Sequence, residues 1–143
     1  MAMPATPTQA LWTLRTIWWV TWISQGVLAF FMVVYRRPVE GGHPFWLAVC
    51  LLGLVLCTGA GYFCRSQCYK RYWRGDTITP RGYVRGNVAL LIMLGVASSA
   101  ALLGVALTGR LWPYLLVAGA SWALATLNFP HGKPMQTHTP CWS

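Results

Sequence analysis

The side chains able to do chemistry in this chain are few: five cysteines, three histidines and two acids among 143 residues. Cys50, Cys57 and Cys64 repeat every seven residues along one helical line, and Cys68 follows Cys64 one turn later. Thiolates so spaced could pass a soft metal ion along a helix face. The competing reading is packing, because cysteine behaves as a small apolar residue in helices. His131, Met135, His138 and Cys141 add soft ligands in a tail punctuated by Pro130, Pro134 and Pro140, but their spacing matches no closed metal site. His43, His131 and His138 all lie outside the apolar stretches, which leaves a b-type haem without axial ligands. Glu40 and Asp76 fall between those stretches, so the carboxylate that ion coupling uses inside a membrane is missing. Hydrolytic triads and phosphate loops are absent. The sequence thus predicts no catalysis and no resident cofactor, with a bound lipid or pigment left open and metal handling through Cys64, Cys68, His131, His138 and Cys141 as an alternative.

Composition accounts for this poverty. The chain is 56% hydrophobic and 9% charged, with eleven Lys and Arg against two acids, for a net charge of +9. An ordinary soluble domain carries about 25% charged residues. So few charges cannot cover so much apolar surface in water, and the richness in Trp, Leu and Val excludes disorder.

A membrane-crossing helix needs about 20 apolar residues. Four stretches meet that need: about 11–35, 45–63, 88–108 and 111–129. Backbone polar groups find no water in hydrocarbon, and none of the four alternates like a barrel strand, so all four are expected to be helices. The expected organisation is all-α and polytopic: an N-terminal tail over 1–10, a four-helix transmembrane domain over 11–129, and a tail over 130–143. Residues 1–10 hold no Lys or Arg, and the first apolar stretch is too long for a secretory signal, so it reads as a retained helix. Gly109-Arg110 leaves room for only a tight turn, which makes the third and fourth helices an antiparallel hairpin. An even number of crossings puts both termini and the 64–87 connection on one side. That side holds eight of the basic residues (six in 64–87, with Lys133 and Arg15) and the other holds Arg36, Arg37 and Arg110. Positive charge marks the cytoplasmic face, here of a bacterial inner membrane.

Helices in lipid associate through close packing and hydrogen bonds rather than burial from water. Small residues that would allow close approach are Gly53, Cys57 and Gly61 in the second helix, and Gly95, Ser99 and Gly104 in the third. The first helix differs in kind. Arg15 precedes Trp18 and Trp19 by three and four residues, so its guanidinium could meet an indole face. Trp22 lies about 16 Å into the span, deeper than an interfacial aromatic belt requires. Gln25 sits at mid-span, where its amide needs a partner on a neighbouring helix. In the 64–87 connection, Arg65, Lys70, Arg71 and Arg74 interleave with Tyr69, Tyr72 and Trp73, a pattern suited to anionic lipid headgroups or an acidic partner rather than nucleic acid.

The third and fourth stretches read from Arg85 through Ala101-Leu-Leu-Gly-Val-Ala-Leu107, turn at Gly109-Arg110, and close on Asn128-Phe129-Pro130. In these features the chain resembles small bacterial inner-membrane proteins of unknown function whose C-terminal hairpin is similar to that of the ATP synthase ring. The resemblance implies a packed hairpin. The ring's proton-carrying carboxylate is replaced by Ala97, Ser98 and Ser99, which removes ion translocation from what it implies.

By subtraction, the expected role is a non-catalytic accessory or assembly subunit of a larger respiratory or photosynthetic membrane complex, with other membrane subunits and anionic headgroups as partners. The alternatives are soft-metal handling, or lipid or quinone binding on the aromatic face of the first helix. A variant keeping Cys68 as its sole cysteine should react with an impermeant maleimide only after the cytoplasmic face is opened; labelling of intact cells would reverse the orientation.

Overall fold

A computed structural model describes residues 6–35 and 44–136. Four helices follow one another: α1 (Pro7–Val34), α2 (Pro44–Tyr72), α3 (Pro80–Thr108) and α4 (Trp112–Leu127). A two-stranded hairpin, β1 (Trp73–Arg74) and β2 (Thr77–Ile78), joins α2 to α3, and a 3-10 turn at Lys133–Met135 follows α4. Three helices are long and apolar enough to cross a membrane: α1, α2 over Phe45–Tyr72, and α3.

Local chemistry sets the helix ends. Thr6 and Thr79 each accept a backbone N–H into the first turn of the helix they precede, and Pro7 and Pro80 follow them where a missing N–H is harmless. Gly109 closes α3 in the left-handed region at φ 65°, its N–H donating to Val105 O. Gly75 has φ 59° at the first position of the two-residue β-turn, a conformation that glycine adopts without strain.

α3 is the central element and packs against α1, α2 and α4. Its pairing with α2 runs antiparallel: Gly61 lies against Leu90 and Met93, Gly86 against Tyr69, and Gly82 against Tyr72. Against α4, Gly104 faces the Tyr114 ring and Ser98 meets Trp122. Three clusters fill the interior along the bundle: one around Cys50, Leu102, Val105 and Tyr114, one around Trp18, Leu90, Leu94 and Ala125, and one around Leu14, Ile78, Tyr83 and Met135. By contrast α1 buries only Ala10, Leu14 and Trp18.

One expectation needs correction. The 64–87 segment is mostly helix, because α2 runs on to Tyr72 and α3 begins at Pro80, leaving residues 73–79 as the connection. The loss of hydropathy after Phe63 marks a change of surroundings and not a helix end. Arg and Lys are good helix formers, and here the basic residues gain partners across the α2–α3 pair, as when Arg85 donates to Tyr72 Oη. The fourth helix, α4, has 16 residues and rises about 24 Å, against the roughly 30 Å of a hydrocarbon core. It stops where the Asn128 amide turns back to bond Leu124 O. The start of the tail is anchored through Met135. That residue is buried beside Leu14 and Tyr83, while Gly132 N–H donates to Tyr83 Oη at 3.1 Å. His138 and Cys141 lie outside the described residues, as do Arg36, Arg37, Glu40 and His43.

A Cβ on Gly104 would stand 2.5 Å from Tyr114 Cδ1 and Cε1, whereas one on Gly59 would meet nothing within 4 Å among the described residues. Gly104→Ala should therefore lower stability by about 1–3 kcal/mol through overpacking. Gly59→Ala should be neutral or mildly stabilising. Reversible unfolding in detergent separates the two.

Candidate functional site

A chain of neutral hydrogen bonds ties α1, α3 and α4 together at mid-bundle. The Gln25 amide Nε2 donates to Ser99 Oγ at 2.9 Å, and Ser98 Oγ donates to Gln25 Oε1 at 2.9 Å. Ser98 Oγ in turn accepts Trp122 Nε1–H at 2.9 Å. Ser98 is fully buried, so each of its two bonds is made away from solvent, where leaving either group unmade would be costly. Gln25 thus finds its partners inside the bundle, on α3.

Aromatic rings flank this clasp. Trp22 packs at 5.5 Å from Trp122 and 5.4 Å from Trp18, centroid to centroid. Trp18 turns inward and donates Nε1–H to Ala125 O at 3.1 Å, while Trp19 is 57% exposed. Arg15 lies 5.6 Å over the Phe129 ring and not on an indole. The reason is tertiary: the segment after α4 brings Phe129 edge-on to Trp18 at 5.1 Å, which presents the Phe129 face to the guanidinium. A cavity of about 20 Å³ lies among Thr21, Trp22, Gln25, Ser98, Ser121 and Trp122. That is room for one water, and the buried Trp22 Nε1 has no hydrogen-bond partner among the described residues. None of these lining groups is acidic or basic, and the hydrogen bonds among them position the helices.

A second polar network closes the basic end of the bundle. Arg65 donates through Nη1 to Asn128 Oδ1 at 2.6 Å and through Nε to Tyr69 Oη at 3.2 Å. Asn128 Nδ2 donates to Tyr62 Oη at 2.6 Å. Asn87 Nδ2 donates to Tyr69 Oη and to Tyr83 O, each at 2.8 Å. This network pins α2 to the end of α4 and to the start of α3. Lys70, Arg71 and Arg74 are exposed beside it.

The small residues divide by use. Gly61 and Gly104 take neighbouring side chains into the space of an absent Cβ, while Gly53 and Gly95 have nothing within 4 Å of that position among the described residues. Ser99 serves the clasp and Cys57 is half-buried. The cysteines spread rather than gather. Cys50 is buried, with its thiol 3.6 Å from Ala100 O, and Cys57, Cys64 and Cys68 are free and half-buried. His131 is exposed with its ring beside Phe129. Among the described residues no group of three or more His, Cys, Asp or Glu could hold a metal ion.

Sequence reasoning placed Gln25 at mid-span but missed its meeting with Trp122 at Ser98. It also missed Asn87 and Asn128. Both are amides at the edge of an apolar stretch, and that cost of burial was the available signal. Gln25→Leu and Trp122→Phe should each cost about 0.6–2 kcal/mol. Because both act through Ser98, the double variant should fall short of the sum by about 0.5 kcal/mol or more; strict additivity in detergent unfolding would refute the clasp. No family model, curated protein or solved structure matches this chain.

Proposed function

We propose that this chain is a non-catalytic accessory or assembly subunit of a larger bacterial inner-membrane complex, of respiratory or photosynthetic type. In this reading it crosses the membrane four times, with α3 and α4 as a tight antiparallel hairpin and both termini in the cytoplasm. The short α4 is accommodated by local thinning of the bilayer. The basic end meets anionic headgroups, each cation contributing about 1 kcal/mol near such a surface. The resemblance to the ring-type hairpin, without its proton site, is what suggests the tight hairpin in this reading.

The observation that carries the proposal is the outer face of α1. Trp12, Thr16, Trp19, Ile23, Gly26 and Phe30 are all exposed, and they alternate at four- and three-residue intervals. That is the spacing of a helix–helix seam. Gly26 sits within the seam with nothing within 4 Å of a Cβ position among the described residues, which suits the close approach of another helix. The opposite face of α1 is already held by the clasp, so the seam is presented on a fixed support.

Extraction of the tagged protein from its native membrane in mild detergent should recover one or more membrane proteins at constant stoichiometry. Gly26→Leu should reduce that recovery about fivefold at unchanged accumulation of the chain. Purification of the chain alone, with no co-migrating protein, would overturn the reading.

A further inference from the structure

We propose that residues 128–136, the segment after α4, form a closing strap: the half of α1 nearest the basic end is seated only once this strap has crossed it, so the α1 seam is presented to a partner only by a finished chain. The inference deepens the subunit reading, because it names what controls the seam.

The buried residues of α1 are Ala10, Leu14 and Trp18, all in its first half. Spaced by four, they form one inner line. Ala10 and Leu14 share a cluster with Met135, to which α3 contributes Tyr83 and β2 contributes Ile78. Phe129 packs on the cluster that holds Trp18, edge-on to that ring at 5.1 Å, and Arg15 stands 5.6 Å over the Phe129 face. Gly132 passes so near Leu11 that a Cβ there would stand 2.8 Å from both Leu11 Cδ atoms. Loss of the strap would therefore take a neighbour from every buried residue of α1. Trp12, Thr16 and Trp19, the matching half of the seam, occupy the same turns of helix. Whatever fixes the inner line also fixes the rotation of this outer one.

The strap is held by the other elements. Arg65 of α2 donates to Asn128 Oδ1 at 2.6 Å. Pro130 is fully buried. Gly132 N–H donates to Tyr83 Oη of α3 at 3.1 Å, and its φ of 75° is one that L side chains rarely adopt. The contacts the strap makes on α1 join the two ends of the chain. Synthesis proceeds from the N-terminus, so α1 is complete long before the residues that cover its first half. The Gln25 clasp holds α1 at mid-length and leaves that half to the strap. The α2–α3 contacts at Gly61, Gly82 and Gly86 involve no strap residue, so the two can be told apart.

Amide hydrogen exchange of the full chain in mild detergent tests the strap. Gly132→Val and Met135→Ala should each speed exchange over residues 8–18 by about tenfold or more. Exchange in α2 and α3 around Gly61 and Gly86 should stay within about twofold of the parent. Lys133→Ala, at an exposed strap position, should change neither. Unchanged exchange over 8–18 in both variants, or equal acceleration in α1 and in the α2–α3 pair, would overturn the strap. Gly132→Val should also lower recovery of co-purifying membrane proteins about fivefold, although Gly132 is outside the seam. Undiminished recovery from a variant whose α1 has been loosened would overturn control of the seam. A parent chain that recovers no partner would overturn the subunit reading instead, and the exchange rates would still decide the strap.

Discussion

Hydrocarbon surroundings remove the force that assembles soluble bundles, since an apolar side chain gains little by leaving lipid for another apolar side chain. Everything that holds these helices must therefore come from hydrogen bonds made where no water competes, or from backbones brought close enough for dense contact. Ser98 is where the first requirement is met. One hydroxyl, fully buried, donates to Gln25 of α1 and accepts from Trp122 of α4. A single side chain on the central helix thereby fixes two neighbours, and their lateral positions follow from it.

The second requirement is met at the glycines of α3. Gly82 and Gly86 receive the rings of Tyr72 and Tyr69 from α2, and Gly104 receives Tyr114 from α4. The same tyrosines are then put to polar use. Tyr69 Oη accepts from both Arg65 and Asn87, so the close approach that glycine permits also satisfies the amide of a buried asparagine. Packing and hydrogen bonding at the basic end are one arrangement, which is why the arginine that begins it can be both a structural tie and a charge presented outward.

The consequence is an asymmetric molecule. Half of the apolar stretch of α3 is buried, whereas α1 and α2 expose long apolar faces, among them Val20, Ile23, Leu52, Val55 and Leu56. An apolar outer surface is what a bilayer solvates. Within it, the seam on α1 is the place proposed for the subunit contact.

The residues alone pointed to helices: long apolar runs with so few charges suit helices that can satisfy their own backbone in an apolar medium, and three of the four are long and apolar enough to cross a membrane. They also exposed Gln25 as a group in need of a partner, because an amide's desolvation cost depends on its own chemistry and depth. They could not say who the partner was. Whether Arg15 meets an indole or Phe129, and which hydroxyl of α3 answers Gln25, depends on helix rotations set by contacts distant in the chain. Nor could hydropathy reveal that α2 and α3 continue through the basic segment, since it reports the surroundings of a helix and the hydrogen bonds that sustain one are indifferent to them. The Asn128–Arg65 tie joins residues 63 positions apart, and only the folded arrangement of α2 and α4 brings them together.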